Sequence, residues 1–179
     1  KGIDDGTVTR LLESLDRESP VAVRDLAIIE LLATYGVRGI QVRQLRLDDI
    51  EWTENRIRFR PVKRGKLVTQ HLTLRVGNSL LAYIRDARPS ATPYAEVFLT
   101  VRPPFHPLGS SSSLASIIAG RLRQISAHLP EGVSHGAHSF RHAFASRLAG
   151  HVPLKHIADM LGHRDLSSAY FYSKVDFTA

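Results

Sequence analysis

The chain has no cysteine among its 179 residues. That absence excludes disulfide scaffolds, cysteine-ligated zinc and thiol catalysis, and it fits a reducing compartment. No apolar run approaches the ~20 residues that a membrane-spanning helix needs. The opening Lys1-Gly2-Ile3-Asp4 has neither an initiator methionine nor the charged-then-apolar pattern of a secretory leader. The sequence therefore reads as a piece of a longer cytoplasmic protein. Acidic residues are in short supply: 17 Asp and Glu stand against 24 Lys and Arg, a formal charge of +7 with a pI of about 10.1. This imbalance favours an anionic partner, nucleic acid first, over the plainer reading of a basic surface that serves only solubility.

What is present is a globular composition, 43% hydrophobic and 23% charged. A chain of this length buries roughly 70% of its unfolded surface, enough for one domain without a metal or disulfide staple. Val8, Leu11, Leu12 and Leu15 suit one face of a short helix. Residues 21–35 form a largely buried helix, with Gly36 as its stop. Strand patterns follow, beginning at Leu45, alternating strictly through Arg56-Ile57-Arg58-Phe59-Arg60, and returning with Val68, Leu72 and Leu74. They predict a small antiparallel sheet over about 45–74. Its basic turn is Lys63-Arg64-Gly65-Lys66, with Gly65 supplying the difficult backbone angle. A helix is expected over 77–87, then an exposed loop marked by Pro103, Pro104, Pro107 and Ser110 to Ser113. Ser112 or Ser113 is the expected cap of a helix carrying Leu114, Ile117, Ile118, Leu122 and Ile125. Three more helices are expected at about 138–149, 153–161 and 166–174. The fold class is thus mostly α with a small antiparallel β-sheet.

Chemistry gathers near the C-terminus. In His138-Ser139-Phe140-Arg141-His142-Ala143-Phe144-Ala145-Ser146-Arg147-Leu148, helical spacing puts His138, Arg141 and His142 on one face. Phe140, Phe144 and Leu148 make an apolar stripe on another. Alone, this is an amphipathic helix with a solvated basic side. About twenty residues on stands Leu161-Gly162-His163, with Gly162 suited to end a helix in the left-handed conformation. Tyr172 follows nine residues after His163; a lone tyrosine there reads most simply as half-buried core.

Taken in order, these motifs resemble the catalytic domain of tyrosine recombinases, the family of phage integrases and Xer-type resolvases, from about Arg24 to Val175. Tyr35-Gly36-Val37-Arg38 is similar to the first-arginine box and the Lys63 turn to the lysine hairpin. His138-Ser139-Phe140-Arg141-His142 is similar to the H-x-x-R-H box, and Leu161-Gly162-His163 with Tyr172 to the final box. The resemblance implies a tyrosine hydroxyl that attacks a DNA phosphodiester, giving a 3′-phosphotyrosyl link and a free 5′-hydroxyl, without metal, ATP or other cofactor. It makes Tyr172 the nucleophile, with Tyr170 left to packing. Arg38 and Arg141 become the phosphate clamp, His163 a third donor and His138 the proton acceptor. Lys63 is the favoured general acid, with Lys66 the alternative; His142 is a further candidate. Arg64, Lys66, Arg147 and Arg164 are expected to touch DNA phosphates. The partner implied is double-stranded DNA, with four protomers on two duplexes. The 179 residues are expected to be a single catalytic domain, with an N-terminal DNA-clamping domain preceding it and a docking tail following it in the whole protein.

The pattern departs from the family at Gln41, where the family usually has Glu or Asp three residues after the first arginine. An amide hydrogen-bonds but accepts no proton, so reduced activity is one expectation. Gly39, directly after Arg38, is expected to loosen the helix that holds it. Three rivals stand beside this reading. Nine histidines, and the i, i+4 pair His138 and His142, raise a zinc hydrolase, although the Glu of H-E-x-x-H is missing and Arg141 sits between the ligands. A non-catalytic DNA-binding module of the same fold is a second, and a type IB topoisomerase a third.

Overall fold

Helix α2 (Pro20–Tyr35) is buried on nearly every side, and the other elements are arranged around it. The computed structural model describes residues 1–162. Helix α1 (Asp5–Glu13) precedes α2, and the short helix α3 (Gly39–Arg43) follows it. A 3-10 turn (Leu47–Asp49) leads into strands β1 (Ile50–Glu51), β2 (Arg56–Phe59) and β3 (Val68–His71). Helix α4 (Leu74–Ala82) runs on into one π-helical turn, Tyr83–Ala87. Helices α5 (Ser111–Gln124), α6 (Ala137–Leu148) and α7 (Leu154–Met160) complete the described chain.

The sequence explains the central place of α2. Residues 22–33 are all buried, the state of a helix that is apolar around its whole circumference. Pro20 sits in its first turn, where a missing N–H costs nothing. The charges that the helix buries are paired. Arg24 lies 2.8 Å from Asp25, Asp25 lies 2.8 Å from Arg121 of α5, and Glu30 lies 3.0 Å from Arg75 of α4. Gly36 ends α2 with φ +60°, its N–H donating to the Leu32 carbonyl at 3.1 Å. A β-carbon on Gly36 would lie 2.6 Å from the Phe144 ring. Glycine is therefore required twice here, for the left-handed turn and for the close approach of α6.

The sheet is antiparallel in the order β1-β2-β3, with Ile50 opposite Ile57 and Phe59 opposite Val68. Ile57 and Phe59 share the buried face, as their alternation requires. Phe59 packs its ring 5.4 Å from that of Tyr35. The Tyr35 hydroxyl donates to the His71 carbonyl at 2.7 Å and accepts from the Thr73 N–H at 3.2 Å, so it joins α2 to the end of the sheet.

Four expectations need correction. The strands are shorter than 45–74 suggests, and Leu74 opens α4 instead of closing β3. Thr73 accepts from the Val76 N–H and caps the helix, so Leu74 turns outward and is 80% exposed. The helix expected over 77–87 accordingly starts at 74. In the basic turn the positive φ belongs to Lys63, at +54°, and not to Gly65. Gly65 is needed for space: a β-carbon there would lie 3.1 Å from the carbonyls of Val62 and Gly162. The N-cap of α5 is Ser110, not Ser112 or Ser113. Gly39 does not loosen the hold on Arg38, because Arg38 is the N-cap and stands outside α3. The helices expected over 138–149 and 153–161 are α6 and α7. The one expected over 166–174 lies outside the described residues.

Gly36→Ala tests this packing. The methyl combines a left-handed backbone penalty of about 1–2 kcal/mol with overpacking of about 1–3 kcal/mol. Urea unfolding should show a loss of about 2–5 kcal/mol in stability; an unchanged midpoint would refute the Gly36–Phe144 contact.

Candidate active site

Helix α6 brings most of the chemistry. Its apolar face, Phe144 and Ala145, joins Ile157 and Leu161 of the α7 region in a small second core. Beside that core lies Arg141, only 2% exposed. Its Nη1 donates to the Gly36 carbonyl at 2.8 Å and its Nη2 to the Leu161 carbonyl at 3.1 Å. One guanidinium therefore links the end of α2 to the end of α7. Both carbonyls belong to helix C-termini, where four C=O groups lack helical partners and the dipole end is negative, so a cation is favoured there. The bonds also fix the plane of the fork, which pre-orients an arginine for an anion.

Arg38, His138 and Arg141 all line one cleft of about 490 Å³. Gly39 and Leu114 form part of its apolar wall, and Arg43 contributes a further cation. The sequence does not single out Arg43, because no motif marks the residue five positions after the first arginine. It is visible only once α3 folds against α5, with Arg43 Nη1 donating to the Leu108 carbonyl at 3.4 Å.

His138 is exposed at the start of α6 and His142, one turn on, is half-buried. Their Nε2 atoms lie 2.8 Å apart and their rings meet edge to face. One ring donates and the other accepts, so at least one is neutral, and the two titrate as a pair. Although the residue as a whole is exposed, partial burial of its imidazole lowers the pKa of His138, with the Arg141 and Arg38 guanidinium groups adding to it. Burial also lowers that of His142, followed by the charges of His138 and Arg141. No group of three His, Asp or Glu able to hold a metal occurs among the described residues.

The basic turn between β2 and β3 docks on α7. The Lys66 N–H donates to the Gly162 carbonyl at 3.4 Å, and Lys66 Nζ lies 3.8 Å from Asp159. Lys63 and Arg64 are exposed, and no ion pair holds either among the described residues. Gln41 is buried on α3, bonded at both ends of its amide. Arg147, expected at DNA phosphates, is also engaged within the fold: it donates to Asp5 at 3.1 Å and to the Ala33 carbonyl at 2.7 Å. His163, Arg164, Tyr170 and Tyr172 lie outside the described residues. No helix among the described residues is long and apolar enough to cross a membrane.

Comparison with known proteins bears on the family and the fold. The profile of the Phage integrase family matches residues 2–179. The chain is 39% identical over 170 residues to a Sinorhizobium fredii protein that carries the name integrase/recombinase y4gC, covering 94% of this chain and 85% of that one. It is 30% identical over 177 residues to the tyrosine recombinase XerC of Chromobacterium violaceum, covering 97% of this chain and 55% of the relative. A further Sinorhizobium fredii relative, y4rF, is matched over only 40% of its length, so the chain spans less than half of that protein. Among solved structures, the XerA recombinase superposes with a TM-score of 0.80 at 19% identity, over 99% of this chain and 59% of that one. The Tn1549 transposon integrase, solved with circular intermediate DNA, gives 0.79 at 16% identity, over 98% and 63%. Those two likenesses establish the fold, mostly helical with a small antiparallel sheet. With a profile matched along almost its whole length and a relative 39% identical over 94% of it, the chain belongs to the phage integrase family.

Proposed function

We propose that the chain is the catalytic domain of a site-specific DNA recombinase that breaks and rejoins strands through a 3′-phosphotyrosyl intermediate. The observation that carries this reading is the convergence of Arg38, Arg141 and His138 on one cleft beside the α6–α7 junction. A cleft lined by oriented guanidinium groups fits the phosphoryl group of a diester, whose charge grows on the non-bridging oxygens as the transition state forms. In the proposed step the Tyr172 oxygen bonds to phosphorus and its proton passes to neutral His138. The bond from phosphorus to the 5′-oxygen breaks, and Lys63 protonates that oxygen. Arg38 and Arg141 neutralise the equatorial oxygens, with His163 as third donor. A 5′-hydroxyl from a second duplex then reverses the step. The engagement of Lys66 with Asp159 supports Lys63 as the acid. In the whole protein the partner is double-stranded DNA, with four protomers on two duplexes in the cytoplasm.

The nucleophile is tested by incubating full-length protein with nicked duplexes from the DNA flanking its gene, in EDTA, and stopping the reaction in SDS. A covalent adduct should form with the wild type and vanish in Tyr172→Phe. An adduct lost in Tyr170→Phe but kept in Tyr172→Phe would reassign the nucleophile, and no adduct on bound DNA would favour a binding module. Arg38→Ala should slow cleavage by about 10²–10³-fold, the usual cost of one transition-state donor.

The pH profile has a definite sign. His138 is held below its ordinary value of 6.5, so its neutral, proton-accepting form persists to lower pH than in a free histidine. The acid limb of single-turnover cleavage should fall below 6.5 and be abolished in His138→Gln. A limb at or above that value would contradict the assignment.

The phosphate contacts separate by salt. Arg64→Ala should weaken binding equally across DNA sequences and reduce the slope of log K against log salt by about one. Arg147→Ala should leave that slope unchanged and lower stability instead, since its guanidinium is bonded to Asp5 and Ala33.

A further inference from the structure

Gln41 stands where two parts of the proposed site meet. It is 4% exposed, and its side chain is bonded at both ends. Oε1 accepts from the Arg38 N–H at 2.9 Å, and Nε2 donates to the Arg60 carbonyl at 3.0 Å. The first bond holds the turn that presents the first arginine. The second holds the residue directly after β2, where the chain leaves the sheet for the lysine turn. Only Pro61 and Val62 separate Arg60 from Lys63, so the Lys63 Cα lies within roughly 11 Å of the anchored residue.

The root of the hairpin is fixed from other directions too. The Arg60 side chain donates twice to Asp49, at 3.1 Å each, and on the far side of the turn the Lys66 N–H meets the Gly162 carbonyl. Among the described residues, the Gln41 amide is the direct hydrogen-bonded link between the Arg60 carbonyl and the Arg38 N–H, whereas the Asp49 and Gly162 bonds lead to other elements.

The chemistry of the two partners is opposite. An N–H requires an acceptor and a carbonyl requires a donor. A primary amide offers both in one planar group, whereas an ionised carboxylate offers acceptors alone. Glutamate at position 41 would keep the Arg38 bond and set a negative oxygen against the Arg60 carbonyl. We propose that Gln41 is a positioning residue for the strand-cleavage reaction, its amide coupling the Arg38 turn to the hairpin that carries Lys63, and that a carboxylate does not replace it. This rests on the phosphotyrosine reading with Lys63 as general acid. The amide is then the group that this backbone geometry demands, rather than a weakened acid.

The test separates hairpin placement from other effects by changing the leaving group. Full-length wild type, Gln41→Glu, Gln41→Met and Lys63→Ala are compared in single-turnover cleavage on two nicked duplexes. One carries the normal scissile phosphate; the other has sulfur in place of the bridging 5′-oxygen. A thiolate leaves without protonation, so a misplaced or missing general acid no longer matters. On normal DNA, Gln41→Glu and Gln41→Met should cleave roughly 10–100-fold more slowly than wild type, the scale of a misplaced catalytic group, with DNA affinity unchanged. On the sulfur duplex Gln41→Glu, which keeps the Arg38 bond, should recover like Lys63→Ala to near the wild-type rate, whereas Gln41→Met, which loses that bond as well, should recover only in part. Wild-type speed of Gln41→Glu on normal DNA would overturn the inference. Slow cleavage by Gln41→Glu on both duplexes would overturn it as well, since the defect would then lie outside leaving-group protonation. If wild type cleaves neither duplex, the phosphotyrosine reading fails first. If wild type cleaves both and Lys63→Ala is not rescued by sulfur, the assignment of Lys63 fails, and the inference with it.

Discussion

The Arg141 guanidinium holds together the end of the molecule on which the proposed chemistry depends. A buried cation is costly unless its N–H groups find partners, and Arg141 finds them in the last carbonyls of two helices, at Gly36 and Leu161. Those carbonyls need donors for the same reason. The solution satisfies both sides and fixes how α2, α6 and the end of α7 meet. Gly36 makes the contact geometrically possible: its left-handed turn ends α2, and its bare Cα admits Phe144 of α6.

Around this junction the fold places charge on rigid supports. Arg38 caps α3, His138 opens α6, and both border the same cleft. Rigid placement matters because phosphoryl transfer gains from groups that are already oriented when charge develops. Partial burial lowers the pKa of His138 and the cationic neighbours add to it, so an imidazole surrounded by positive charge favours its neutral form. The guanidinium groups that line the cleft thus add to the effect of burial on the imidazole beside them.

The β2–β3 hairpin is the second structural theme. It is held at one root by Gln41 and Asp49 and on the other side by Gly162 and Asp159. Its turn residues stay exposed between these anchors. Close approach explains the glycines on both sides of the docking contact: a β-carbon on Gly65 would crowd the Gly162 carbonyl, and one on Gly162 would lie 2.9 Å from the Val68 side chain and 3.3 Å from the Lys66 carbonyl. A basic loop attached in this way projects cations without leaving the chain path undefined.

Much of this was legible in the sequence, because it rests on short-range rules. The apolar run of α2, the Gly36 stop, the alternation of Ile57 and Phe59 and the spacing of His138, Arg141 and His142 follow from periods of 3.6 and 2 and from the φ that glycine permits. The order of the motifs fixed the family and the candidate residues, including His163 and Tyr172 outside the described structure. What the sequence left open are matters of distance between segments far apart in the chain. Helical spacing put Arg141 on a polar face, but only packing of α6 between the ends of α2 and α7 buries it against two carbonyls. Arg147 read as a surface cation, and the approach of α1 and α2 gives it Asp5 and Ala33. Gln41 read as a missing acid, and the nearness of Arg60 gives its amide a donor's task that a carboxylate lacks. The sequence determined which groups the protein possesses and which local conformations they favour. The tertiary structure decided which of them meet, because a hydrogen bond acts over about 3 Å, and that distance is set by long-range packing.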